Sequence, residues 1–367
     1  MLKKIILFTF VVTLPLAAQS SGENGLKVFG YFQNIFQQES LNRSTGVINT
    51  FALQQLNLFM QKDLAKNWTS LINVEILNNY SSSRHWGAIN LQEAWIRYRH
   101  SAAFSIKFGL HTPVFNHLNE IKNKTPLLSY IIRPLAYETS FKEFITVDEF
   151  APDRAYLQVS GYIPWRTVKL DYAIFGGNGP NVNSNPEVGQ TGVDTTGAMM
   201  IGGRFGVRHA GLKAGLSFTW DRYSQLASID DLAVPADRDY GEIPRIRFGI
   251  DAQYQWNQFG IENEYIHVNY HDENDEINFD RDFFYSTINY EHREWLNSYF
   301  SFWLIQQHAS PVKSEMGVFS LGISCPIGDR ITIKLQTGKV KTQAWVADKL
   351  TLEARGNYYD AAISVFF

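Results

Sequence analysis

The chain has 367 residues, with 33 Lys and Arg against 36 Asp and Glu and a formal net charge of −3. So close a balance excludes the basic excess of a nucleic-acid binder and the acidic tail of a protein that captures basic partners. The length fits two soluble domains or one large β-domain. A chain this polar, with 14% aromatics, argues against a bundle of membrane-spanning helices and suits a barrel with aromatic girdles.

Residues 1–20 read as a secretory signal peptide. Lys3 and Lys4 form a positive start, Ile5 to Leu16 an apolar stretch, and Ala17 and Ala18 supply small residues for cleavage. Residues 21–367 are then the folded part. The only cysteine, Cys325, excludes an internal disulfide and a multi-cysteine metal site. No later stretch reaches about 18 apolar residues, so no membrane-spanning helix is expected.

Beyond residue 25 the pattern is strand after strand. The first, 26–38, has two faces that are hard to tell apart. Residues 104–111 set Phe104, Ile106, Phe108 and Leu110 against Ser105, Lys107 and His111. Residues 197–208 and 212–221 alternate likewise. In 245–256, Ile246, Phe248, Ile250, Tyr254 and Trp256 share one face, and Arg245, Arg247, Asp251 and Gln253 the other. In 259–270 the alternation is spoiled by Asn263 and His267. Residues 330–337 alternate again. The last stretch, 357–367, sets Tyr359, Ala361, Ile363, Val365 and Phe367 against Tyr358, Asp360, Ala362, Ser364 and Phe366. A strict period of two over this length is what a tilted strand needs when its faces meet lipid on one side and water on the other. An amphipathic strand ending on Phe resembles the assembly signal of bacterial outer-membrane barrels.

Connections alternate in length. Short ones fall near 63–67, 100–103, 161–166, 209–211, 257–258, 291–294 and 326–329. Long ones fall near 40–49, 79–88, 112–152, 176–196, 222–243, 270–281, 306–315 and 340–355. Eight long and seven short connections give 16 strands, with both chain ends on the periplasmic side. A sheet in lipid cannot keep an open edge, so it must close. The expected fold is all-β: a closed antiparallel transmembrane β-barrel of about 16 strands around an aqueous lumen.

The third long connection, 112–152, carries Pro113, Pro126 and Pro134 and the apolar run Leu127 to Ile132. An idle hairpin needs none of this. The run predicts a loop folded into the bore, with Lys122, Lys124, Arg133 and Lys142 as constriction candidates, offset by Glu120, Glu138, Glu143, Asp148 and Glu149. Turning each polar face inward gives basic wall candidates Arg97, Arg99, Lys107, Lys169, Arg204, Arg208, Lys213, Arg245, Arg247, Arg330 and Lys334. The acidic ones are Glu75, Glu93, Asp171, Asp221, Asp251, Glu262, Glu264 and Asp360. Basic groups lead, and rings of Arg and Lys favour anions. The competing reading is that these charges pair and merely hydrate the lumen.

Other chemistry is sparse. The glycine-rich 176–183 lacks the Lys and Ser/Thr of a phosphate-cradling loop. His267, His271, Asp272, Asp275 and Glu276 crowd together without the fixed spacing of a calcium loop. No Ser, His and acid fall in a nucleophile-elbow context, so neither catalysis nor a cofactor is expected.

Several pieces, in order, resemble the bacterial phosphate-selective porin O and P family: LQEAWIRYR (91–99), IKFGLHTPVF (106–115), DRAYLQVSG (153–161), YAIFGGNGPN (172–181), IGGRFGV (201–207) and FGIDAQYQW (248–256). The resemblance implies a 16-stranded, usually trimeric diffusion channel in the bacterial outer membrane, passing small hydrophilic solutes, whose third loop folds inward. A lysine cluster at the constriction marks the phosphate-selective members. Here the acids of 112–152 offset the lysines, so phosphate specificity does not carry over. The rivals are a structural or adhesion barrel with an occluded lumen, and a hydrolase, for which no rim cluster of Ser, His and acid can be assembled.

Overall fold

The computed structural model describes residues 25–40, 48–77, 88–122, 124–137, 153–179, 199–223, 243–271, 278–309 and 311–367. The expected signal segment 1–20 lies outside them, as does Lys142.

Sixteen strands close into one antiparallel barrel, each paired with its neighbours in sequence and the last with the first. They are β1 (Lys27–Glu39), β2 (Ile48–Ala65), β3 (Trp68–Leu77), β4 (Ala88–Arg99), β5 (Ser105–His111), β6 (Arg154–Trp165), β7 (Val168–Gly177) and β8 (Met200–His209). The second half is β9 (Leu212–Tyr223), β10 (Ile243–Trp256), β11 (Phe259–His271), β12 (Asn278–Arg293), β13 (Leu296–Ala309), β14 (Val312–Ile327), β15 (Ile331–Val346) and β16 (Lys349–Phe366). The seam runs from Tyr31 opposite Phe366 to Glu39 opposite Tyr358. It ends on a reciprocal pair: Gly30 N donates to Phe367 O at 2.9 Å and Phe367 N to Gly30 O at 3.0 Å. Phe367 lies over Gly30 so closely that a Cβ there would meet its ring at 2.8 Å.

Burial is inverted relative to a soluble protein. On β10, Ile246, Phe248 and Ile250 are exposed, while Arg245, Arg247 and Asp251 are buried. An exposed apolar row that alternates with a buried polar row is the outer face of the barrel, and a continuous apolar outer band is what lipid requires. Cys325 follows the outward Leu321 and Ile323 and is half-buried.

Two expected long connections are corrected. Strands β13 and β14 run to Ala309 and from Val312, so 306–315 is not a loop; β15 and β16 meet at Ala347 and Asp348, so 340–355 is not one either. Ala347 and Asp348 both take positive φ, at 49° and 62°. That is the mirror-type tight turn whose twist suits a hairpin. These strands climb past the apolar band. On β15 the outward residues pass from Ile331, Ile333 and Leu335 to exposed Lys339 and Lys341. Above the band neither face has to be apolar, so the alternation that marks a lipid-spanning strand fades.

The inner face is also uneven. Around β2–β10 it is mostly polar. Around β11–β15 it carries Ile266, Val268, Tyr270, Phe283, Tyr285, Trp303, Ile305, Met316, Val318 and Val340, all buried. These form one apolar cluster with Phe115, Leu118, Ile132, Leu135 and Tyr137. The expectation that every strand turns a polar face inward therefore fails on this side. In β11 the inward residues are Glu262, Glu264, Ile266, Val268 and Tyr270, and the polar interruptions Asn263 and His267 face out. There His267 Nδ1 meets Asp282 Oδ1 at 2.9 Å, and Tyr265 donates to the same oxygen.

Candidate functional site

The segment after β5 is irregular, so its backbone polar groups have no ladder to join and must find other partners. Prolines punctuate it. Pro126 sits within a 3-10 turn at Thr125–Leu127, and Pro134 precedes a second at Leu135–Tyr137. Wall side chains supply the missing partners. Ser217 Oγ on β9 accepts from Asn116 N at 2.8 Å. Glu264 Oε1 on β11 accepts from His117 N at 2.8 Å and Leu118 N at 2.7 Å, and its Oε2 accepts from Tyr137 OH at 2.6 Å. Burial, together with the Glu264 carboxylate, pushes the Tyr137 hydroxyl well above its usual range, so it stays a donor. Gln336 Oε1 on β15 accepts from Ile131 N at 2.6 Å and Ile132 N at 2.8 Å. Gln55 Oε1 on β2 accepts from Thr125 N at 3.3 Å. Apolar contact adds to this, each fully buried Leu, Ile or Phe being worth about 1.5–3 kcal/mol.

Several expected wall and constriction cations are absorbed by this scaffold. Lys334 is buried and donates to Gln33 Oε1 and to the carbonyls of Thr125 and Pro126 at 3.0–3.1 Å. Lys122 is buried, and Arg133 Nη1 donates to its carbonyl. Lys124 pairs with Glu93 at 3.5 Å. Arg245 grips Asp221 with two bonds of 2.9 Å. Arg247 reaches the same carboxylate at 3.1 Å and Thr219 at 3.2 Å. Both arginines are fully buried. Arg330, expected on a strand, lies exposed in the turn before β15.

The remaining candidates converge. Arg97, Arg99, Lys107, Arg204 and Arg208 line one cavity of about 380 Å³, joined by Lys213 and by the acids Glu120, Asp171 and Asp251. Val114, Asn116 and His117 of the segment after β5 form part of its lining. Burial pushes the His117 imidazole down to about 4, with the nearby Lys213 charge adding to the effect, so this ring is neutral at ordinary pH. Formally, then, six cations face three carboxylates.

Pairing is unequal around the cavity. Arg204 holds Asp251 through Nε at 2.9 Å and Nη2 at 2.7 Å and reaches Asp171 through Nη1. Arg208 Nε also holds Asp171, at 2.9 Å. Two glycines make room for the Arg204 guanidinium: a Cβ on Gly215 would lie 2.3 Å from its Nη2, and one on Gly206 2.7 Å from its Nη1. On β4 and β5 the arrangement differs. Arg97 and Lys107 stand directly opposite one another, and both rest on Trp95, at 5.5 and 5.7 Å from its ring centre. Neither has a carboxylate within ion-pair distance among the described residues. Arg208 and Lys213 are likewise directly opposite. Like charges opposite each other on neighbouring strands are destabilising; Asp171 offsets this at Arg208, whereas Arg97 and Lys107 share only the indole.

Sequence reasoning missed the roles of Trp95, His117 and the two glycines. WIRYR carries Trp95 and IGGRFGV carries Gly206 in plain view, but their meaning depends on neighbours remote in sequence. Among the described residues no three His, Cys, Asp or Glu are grouped to hold a metal ion. Most of the acidic stretch after His267, at 272–277, lies outside the described residues.

No protein-family model matches the chain, and no curated protein is similar to it. Solved structures do match. The anion-selective porin from Comamonas acidovorans superposes with a TM-score of 0.67 at 11% identity, over 94% of this chain and 100% of that one. The outer membrane channel DcaP of Acinetobacter baumannii gives 0.62 at 11% identity, over 96% and 100%. OmpT, an outer membrane protein of Vibrio cholerae described in its trimer form, gives 0.59 at 8% identity, over 94% and 100%. Likeness at such identity is a likeness of fold.

Proposed function

We propose that the chain is a bacterial outer-membrane porin that passes small hydrophilic solutes by passive diffusion and prefers anions. The observation that carries this reading is the cavity in which six cationic side chains face three carboxylates. The apolar outer band supports residence in lipid, and the fold neighbours support the outer membrane and a channel. In this reading, residues 112–137 cross the bore and lean on β11–β15. The free passage is then off-centre, against β4–β10. Width is set by the segment, and sign of charge by the wall, as rings of Arg and Lys do elsewhere. Passage down a gradient needs no cofactor. Residues 1–20 are removed on export, and the working unit is a homotrimer. The phosphate selectivity of the resembled family is not assigned, because Lys122 and Lys124 are engaged within the scaffold.

A second reading has an observation of its own. Apolar packing of Phe115, Leu118, Ile132 and Leu135 against β11–β15 is what an occluded structural barrel would show. One recording separates the two. Purified protein in a planar bilayer under a potassium chloride gradient should give steady open steps with an anion-biased reversal potential. Folded, heat-modifiable protein with no conductance supports the occluded barrel; cation bias discards the anion preference.

A further inference from the structure

We infer that the outer face of β14–β16 holds one phosphorylated lipid of the outer leaflet, with an acyl chain in a groove and the phosphate on Lys339, Lys341 and Arg355. This goes beyond the passage of solutes and does not depend on the sign of the pore. The groove, of about 690 Å³, opens on the apolar outer band between β12 and β1. Thr337 and Ala361 are small side chains set among outward Leu321, Leu335, Tyr359 and Phe36, so the surface dips there. The Thr337 hydroxyl donates to Tyr358 O at 3.0 Å and asks for no polar occupant.

The charge begins where the groove ends. Outward residues of β15 pass from Ile331, Ile333 and Leu335 through Thr337 to exposed Lys339 and Lys341. The climb from Ile331 to Lys339, at about 3.4 Å per residue and a tilt of about 40°, is about 21 Å, close to the roughly 25 Å height of a lipid-facing band. The lysines therefore stand at headgroup level, at the end of the barrel remote from both chain ends. Arg355 is directly opposite Lys341, with Cβ atoms about 4.5–5.5 Å apart, and diagonal to Lys339 at about 7–8 Å. One phosphate reaches all three. Glu353 holds Arg355 at 2.7 Å, while Lys339 and Lys341 have no carboxylate within ion-pair distance among the described residues. Like charges directly opposite are destabilising, and phosphate oxygens relieve Lys341 and Arg355 together. On β12 the outward residues near the same end are Asp280 and Asp282, which repel a phosphate and confine the site to β15 and β16. An apolar groove alone would suit a second copy equally; the adjoining cations select a phosphorylated lipid.

The test uses the purified barrel in dodecyl maltoside, with lipid retention read by native mass spectrometry. The probes are lipid A, a diphosphorylated and acylated glucosamine disaccharide, and the same lipid with its phosphates removed. Lipid A should bind one per barrel, at least about tenfold tighter than the dephosphorylated form. Lys339→Gln combined with Lys341→Gln should cut that advantage to within about twofold, and arginine at both positions should keep it. Ala361→Phe, which fills the groove, should weaken both lipids by about fivefold or more. Heat-modifiable mobility and unchanged single-channel conductance confirm that each variant is folded. Equal retention of the two lipids, or retention unaffected by the glutamines, overturns the headgroup site. Competition by inorganic phosphate at equal concentration assigns the cations to free phosphate and overturns the lipid. A barrel that retains no lipid and loses its trimers on Ala361→Phe gives the groove to a second copy and overturns the proposal as well. The channel reading stands or falls separately, on the bilayer recording.

Discussion

Glu264 is the side chain whose removal best tests whether the segment after β5 governs the bore. Its two oxygens accept three hydrogen bonds from that segment, from His117 N, Leu118 N and Tyr137 OH. Leucine in its place strands two buried backbone donors at about 1–3 kcal/mol each, or roughly 2–6 kcal/mol before the tyrosine is counted. At 1.4 kcal/mol per decade, the docked state would lose about thirtyfold or more in population. Glutamine keeps one oxygen for the same two amides and loses mainly the charge assistance, about 1 kcal/mol. Glu264→Leu should therefore raise single-channel conductance and admit larger polyethylene glycols, and it should expose Lys122, Lys124 and Arg133 to trypsin. Glu264→Gln should stay close to the parent. If the leucine variant is folded and has unchanged conductance, polymer cut-off and cleavage, the segment does not set the passage.

Arg204→Gln should weaken anion bias in reversal-potential measurements, because it removes one cation and strands Asp251. It should also lower the unfolding midpoint in urea, since breaking a buried pair costs about 3–5 kcal/mol. Gly322→Val should impair assembly: a Cβ there would lie 2.3 Å from the Tyr299 ring, and overpacking of this kind costs about 1–3 kcal/mol. The yield of heat-modifiable monomer reads that effect. Deleting Phe367 removes the reciprocal bonds to Gly30 and the ring that covers it. Outer-membrane yield should fall, while Phe367→Tyr should assemble normally.

The barrel was legible because lipid imposes a period of two on every outward face. Ile246, Phe248 and Ile250 announce it without help from any other strand. What was not legible fails for the same reason. Where β15 rises past the band, outward Lys339 and Lys341 obey water and the signal stops, so a strand end read as a loop. The turn after it has Ala347 and Asp348 at positive φ, without the Gly or Asn that usually marks such a turn. The apolar run 127–132 stood out, but its wall partners did not. Gln336 meets Ile131 across 205 residues of chain, and no local pattern carries that.

Counting wall charges by type overstates what a solute would meet. Of the basic residues assigned inward from the sequence, Lys334 is taken by loop carbonyls, and Arg245 and Arg247 by one aspartate. Arg204 is taken by two acids and Arg330 sits in a turn. The paired groups among them hold the lumen in shape. A buried pair is screened by its own partner, and what acts on a passing ion is the field of charges left uncompensated in a low-dielectric cleft. Those are concentrated at Arg97, Lys107 and Lys213, on one side of the bore. Selectivity in such a barrel is therefore a property of the remainder after pairing. Two chains with the same lumen composition can differ in sign if a single residue such as Asp171 changes its partner.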